Sequence, residues 1–135
     1  MSTRTKSFDY AVSVDETWDA RSDRGGGVLP GAEEASWTPE HLLLAALVRC
    51  TLTSLRHHCV RAGIVLTASA SAHGVVTRRE VDGRYAFVLV SVEANVSFDP
   101  KPDEAAVAEL LEKGERDRFI GASLLPSPIY AWRVA

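Results

Sequence analysis

The chain has 135 residues, 46% of them hydrophobic and 24% charged, a balance that supports a buried core and excludes wholesale disorder. Fifteen basic residues against eighteen acidic ones leave a formal net charge of -3, which argues against a nucleic-acid binder built on phosphate contacts. Two cysteines, Cys50 and Cys59, are too few for a disulfide scaffold.

The first residues hold no apolar stretch of the kind a secretory signal carries. The longest apolar run, residues 42–48, is far too short to span a bilayer. These features predict one domain over residues 1–135, cytoplasmic, with no membrane partner.

Alternation of Phe8, Tyr10, Val12 and Val14 predicts a half-buried strand over residues 7–18. Residues 21–27, with three consecutive glycines, read as a turn-rich segment. Val28 and Leu29 can form a short strand ended by Pro30-Gly31. Thr38-Pro39-Glu40 is a helix start: a capping hydroxyl, a proline at the first helical position, and an acidic group at the positive end of the dipole. The helix runs to about residue 62, where Gly63 stops it. Its first half, residues 42–48, is apolar all round and so is expected to be buried on most sides. A domain this small rarely covers such a helix alone, which suggests an oligomer. Residues 64–77 alternate again, with Ile64, Leu66, Ala68, Ala70 and Ala72 on one face. Asp82-Gly83 signals a hairpin turn. The returning strand, residues 85–98, would place Ala86, Val88, Val90, Val92, Ala94 and Val96 inward. Residues 103–116 have the spacing of an amphipathic helix, and residues 129–134 form a closing strand. The order predicts an α+β fold with a mostly antiparallel sheet packed on a long helix.

Cys50 sits within that long helix, where a free cysteine serves either as a small buried hydrophobe or as a reactive thiol, given a cation or helix N-terminus to favour the thiolate. Cys59 lies nine positions on, at ~100° per residue on the opposite face, so the two cannot bridge while the helix is intact. Glu40 and Cys50 are about 15 Å apart along the axis at ~1.5 Å per residue, too far to touch. Dipole stabilisation alone accounts for Glu40. Adjacent His57 and His58 diverge by about 100° and lack the spacing of a metal site. Gly25-Gly26-Gly27 matches no dinucleotide or phosphate-loop pattern. No cofactor and no metal is therefore expected. Arg21 and Arg24 are either solvated loop residues or mobile guanidinium groups able to reach a thiolate or oxyanion.

Several segments together resemble the OsmC/Ohr family of osmotically induced and organic hydroperoxide resistance proteins. The strongest is Thr38-Pro39-Glu40-His41-Leu42-Leu43-Leu44-Ala45-Ala46-Leu47-Val48-Arg49-Cys50, similar to that family's Pro-Glu-x-Leu-x-x-Ala-Ala-x-x-x-Cys helix. Residues 110–124 are similar to its second helix and following turn. The hairpin around Asp82-Gly83-Arg84 and the closing strand fit in order, and the likeness extends from about Trp18 onward. The resemblance implies an intertwined homodimer with curved sheets around long central helices. It also implies a thiol peroxidase of the oxidative stress response, with a reactive cysteine matched by Cys50 and a glutamate matched by Glu40. The family's arginine is matched by Arg21 or Arg24. The family's second, resolving cysteine falls where this chain has Arg118. That departure implies a one-cysteine organic hydroperoxide reductase, in which an external thiol reduces the oxidised Cys50 and Arg118 favours its thiolate. The alternative is a dimeric binding or structural protein of the same fold that has lost peroxidase activity.

Overall fold

The computed structural model describes residues 5–33 and 35–135. They fall into two compact units, residues 1–41 and 42–135.

In the first unit, β1 (Val12–Val14), β2 (Ala20–Ser22) and β3 (Val28–Leu29) form an antiparallel sheet in that order. The strand expected over residues 7–18 is thus cut to three residues. Asp15 is the cause. Its Oδ1 accepts from the Thr17 and Asp19 amides and from the Thr17 hydroxyl, so a side chain supplies the bonds that a ladder would have made. The chain reverses there, with Trp18 at a φ of 67°, and β2 begins early. Arg21 and Ser22 consequently belong to a strand, and the expected turn is confined to residues 23–27.

Helix α1 (Pro39–Arg61) begins as the sequence predicts. The Thr38 hydroxyl accepts from the His41 amide at 3.3 Å, the capping bond of a third helical residue. At the other end Gly63 takes a φ of 72°. Its amide donates to Val60 O at 3.1 Å and that of Ile64 donates to Cys59 O at 2.9 Å, the paired closure that a left-handed residue after a helix makes possible. Leu47, Thr51, Leu55 and Cys59 are buried at four-residue intervals, one stripe of the helix. Burial on most sides of residues 42–48 is not found within one chain: Ala45 and Ala46 are exposed.

In the second unit, β4 (Val65–Arg78) and β5 (Tyr85–Asp99) form a long antiparallel hairpin, closed by the Arg79–Asp82 ion pair. The last strand, β6 (Ile129–Val134), lies parallel to β5. A parallel neighbour needs a crossover, and α2 (Glu104–Arg116) and α3 (Phe119–Ala122) supply it. The fold is α+β, with one antiparallel and one mixed sheet and a long helix.

The inward face of β5 departs from simple alternation. Val75 pairs with Leu89 but Val76 pairs with Phe87, leaving Val88 as an extra residue. Such a bulge inverts the alternation beyond it. Val88 is therefore exposed, contrary to the sequence expectation, and Phe87 packs with Leu47, Val90 and Val92. Gly74 opposite leaves room for the ring, since a Cβ there would lie 2.5 Å from Phe87 Cε1. A second cluster joins Leu55, Cys59, Val96, Phe98, Val107 and Leu110. Each fully buried Val or Leu side chain of these clusters contributes about 1.5–3 kcal/mol through burial. Among the described residues no helix is long and apolar enough to cross a membrane.

Candidate functional site

Cys50 lies three residues after Leu47 and one before Thr51, at the margin of the buried stripe of α1. It is half-buried, while Cys59 is fully buried. Burial pushes the Cys59 thiol above its ordinary range, which makes it a packing group rather than a reactive one.

The Cys50 sulfur accepts a hydrogen bond from the Ile120 amide at 3.4 Å. Ile120 stands in the first turn of α3, where backbone amides have no partner within the helix. Arg118 is the residue before that helix and makes no side-chain capping bond. The amide that a cap could have taken is thus available to the sulfur.

The Arg118 side chain folds back over Gly121, where a Cβ would come within 2.1 Å of Arg118 Nε. Its guanidinium carbon lies 4.9 Å from the centre of the Tyr130 ring, within cation–π range. Arg118 Nε is buried and has no hydrogen-bond partner among the described residues.

Tyr130 is itself held from two sides. Its hydroxyl is 3.1 Å from Thr51 Oγ1. The Thr51 hydroxyl has one proton, which goes to Leu47 O at 3.0 Å, and a carbonyl can only accept. Tyr130 is therefore the donor to Thr51. Burial holds its phenol above the ordinary range, and the Arg118 charge opposes this more weakly. The ring stacks on Trp132 at 5.8 Å, and Trp132 Nε1 donates to Glu115 at 2.9 Å.

Of the five residues singled out from sequence, Cys50 and Arg118 share this neighbourhood. Arg21, Arg24 and Glu40 belong to the other compact unit. There Arg21 pairs with Asp15 at 2.9 Å, Arg24 stacks over Tyr10 at 4.9 Å, and Glu40 occupies the first turn of α1. His58 pairs with Asp117 at 2.8 Å. Asp117 is held below the usual carboxylate range first by Arg116 and, more weakly, by His58. Sequence reading missed Thr51, Ile120 and Tyr130. A backbone donor leaves no residue-type signal, and nothing local marks a tyrosine that meets α1 from a strand 79 positions away.

The architecture and this placement of a half-buried helical thiol can be set beside known proteins. The family model for OsmC-like proteins matches residues 31–129. An OsmC-like protein of unknown function from Vibrio cholerae has 12% identity and a TM-score of 0.73, covering 93% of this chain and 99% of its own. An OsmC-like protein from Mycoplasma pneumoniae has 14% identity and a TM-score of 0.67, with 98% of each chain covered. The organic hydroperoxide resistance protein OhrB of Bacillus subtilis has 17% identity and a TM-score of 0.56, covering 94% of this chain and 96% of its own. No curated protein matches the chain. At these identities the solved structures establish the fold, and the family match spans most of the sequence: the chain belongs to the OsmC-like protein family.

Proposed function

We propose that this chain is a thiol-dependent organic hydroperoxide reductase of one-cysteine type, acting through Cys50. The observation that carries the reading is the Ile120 amide aimed at the half-buried Cys50 sulfur, in a neighbourhood where Arg118 lies over Tyr130 and Tyr130 meets Thr51. The thiolate is the form that attacks, and a backbone N–H is a donor that such a sulfur can accept. The Cys50 thiolate attacks the distal oxygen of the hydroperoxide. The S–O bond forms, the O–O bond breaks, and the alkoxide leaves and takes a proton as the alcohol. Cys50 is then a sulfenic acid. The other cysteine, Cys59, is fully buried, so an external thiol completes the cycle.

In this reading residues 1–135 form a single domain that works as a cytoplasmic homodimer. The exposed apolar side chains of the short strands, Val12, Val14, Val28 and Leu29, support a covering partner. Glu40, too far from Cys50 to touch it within one helix, would act with Arg21 or Arg24 across the homodimer, to orient the thiolate and stabilise charge at the reacting oxygen.

The test is chemical. The purified protein is treated with an organic hydroperoxide and then with a sulfenic-acid trap, and the adduct is located by mass spectrometry. Labelling at Cys50 that disappears in Cys50→Ser supports the reading. An unlabelled Cys50 removes it and favours a non-catalytic binding or structural member of the family, for which Arg118 in place of a second thiol is the supporting observation.

A further inference from the structure

We infer that Arg118 recognises the second substrate of the cycle, and that this substrate is a small thiol bearing a carboxylate. The inference rests on the reading of Cys50 as the reactive thiol and adds the chemistry of its reductant.

A sulfenic acid on Cys50 needs a thiol from outside the chain. The chain has only two cysteines, and Cys59 is fully buried on the far side of the same helix. The group that α3 brings into this neighbourhood is instead a guanidinium. Arg118 is only partly buried, and among the described residues it has no carboxylate partner. Glu115 bonds Trp132 Nε1 at 2.9 Å, and the adjacent Asp117 is taken by Arg116 and His58. Arg118 is nonetheless held in place. Its stem lies against Gly121, its planar head lies over Tyr130, and Tyr130 is pinned by Thr51 and Trp132. Arg118 lies over Tyr130, whose hydroxyl meets Thr51, the residue after Cys50, and Ile120, two residues after Arg118, donates to the Cys50 sulfur, so cation and sulfur share one neighbourhood. A fixed guanidinium with free N–H donors takes a carboxylate in a two-point contact. A thiol tethered to that carboxylate by two or three carbons would then be held close to the Cys50 sulfur.

The step balances. The incoming thiolate attacks the sulfenic sulfur, an S–S bond forms, the S–O bond breaks, and hydroxide leaves and is protonated to water. A second molecule of the thiol attacks the external sulfur of this mixed disulfide, releasing Cys50 as thiolate and a symmetric small disulfide. Two small thiols are oxidised and one sulfenic acid is reduced.

The test uses the full chain carrying a neutral 2-thiopyridyl disulfide on Cys50. Release of thiopyridone is followed with 3-mercaptopropionate, 2-mercaptoethanol and cysteamine, each rate divided by that with a small cysteine-derived thiopyridyl disulfide. The expected result is a normalised preference of about tenfold for mercaptopropionate over mercaptoethanol, with cysteamine slowest. The preference should fall with added salt, vanish in Arg118→Gln and survive in part in Arg118→Lys. Equal normalised rates in the unsubstituted protein, or a preference unchanged in Arg118→Gln, would overturn it. So would a Cys50 that cannot be loaded, because no co-substrate thiol could reach it either. Should Arg118→Gln fail to fold, the salt dependence of the unsubstituted protein and the Arg118→Lys rates decide. The trapping experiment above reads separately: anionic preference without sulfenic acid removes the peroxidase and keeps the anion contact, and sulfenic acid without preference does the reverse.

Discussion

The Ile120 amide donates to the Cys50 sulfur at 3.4 Å, so an unpaired first-turn donor of one helix is satisfied by a side chain of another, seventy positions earlier in sequence. The bond ties the placement of α3 to the chemistry of the thiol. Cys50→Ala removes the acceptor and, with it, about 1 kcal/mol of local stabilisation. Hydrogen exchange at the Ile120 amide should accelerate about fivefold in that variant. Cys59→Ala, which opens space in the other core cluster, should leave this amide's exchange relative to the global rate unchanged. Equal protection of Ile120 with and without the sulfur would show that the bond does not hold the turn.

Gly121 determines where Arg118 can lie. The three heavy atoms nearest a Cβ at that position, at 2.1, 2.5 and 2.7 Å, all belong to Arg118. In the native background Gly121→Ala must push the arginine off its course over Tyr130, and crowding of that kind costs about 1–3 kcal/mol. With Arg118 truncated to alanine the obstacle is gone, and the alanine should stabilise by up to about 1 kcal/mol through helix propensity alone. The predicted outcome in urea unfolding is therefore a change of sign between the two backgrounds. The same sign in both would place the arginine elsewhere.

The helix of Cys50 was legible in sequence because every signal that defines it is local: Thr38 caps, Pro39 starts, and Gly63 stops. Strand faces were legible while the pairing stayed in register, as with Leu66 to Ala72 on β4. They ceased to be so at Val88, where a two-residue period cannot register one inserted residue. The β1 strand was over-read for a related reason. Its apolar alternation continues, but the Asp15 carboxylate offers the backbone a competing set of bonds. The site divides along the same line. Cys50 and Arg118 could be proposed from residue type and family pattern, whereas Ile120, Thr51 and Tyr130 enter through contacts 70 to 79 positions apart. Those contacts exist only once α3 and β6 have returned to α1.

Asp15 makes a pH-dependent turn. The Arg21 guanidinium, the Thr17 hydroxyl and two backbone amides together lower its carboxyl from 3.8 to about 2. A depressed carboxylate contributes stability that is complete above the unfolded value of 3.8 and is lost as pH falls through about 2. The Thr17 and Asp19 amide resonances should thus titrate with a midpoint near 2, and Asp15→Asn should abolish the transition. A midpoint close to 3.8 would mean that the carboxylate is not bonded as described. The group lies at the surface, so the effect belongs to the order of the β1–β2 turn.

Thr51 and Tyr130 provide the sharpest energetic test of the site's frame. Thr51 is fully buried, gives its proton to Leu47 O, and receives that of Tyr130. Thr51→Val keeps the shape but leaves the part-buried Tyr130 hydroxyl without this acceptor, a loss of about 1–2 kcal/mol. Tyr130→Phe removes only the donor and leaves Thr51 bonded to Leu47, so its cost should be nearer 1 kcal/mol. With both substitutions present no orphaned polar group remains between the two positions. The double variant should then be more stable than the sum of the singles predicts, by a coupling of about 1 kcal/mol. The phenylalanine ring also preserves the platform under Arg118, so Tyr130→Phe should retain most Cys50 alkylation reactivity while Tyr130→Ala should not. Strict additivity in denaturant unfolding would mean that the two hydroxyls do not bond in solution. Equal alkylation rates for the phenylalanine and alanine variants would remove the ring from any part in holding the guanidinium near the sulfur.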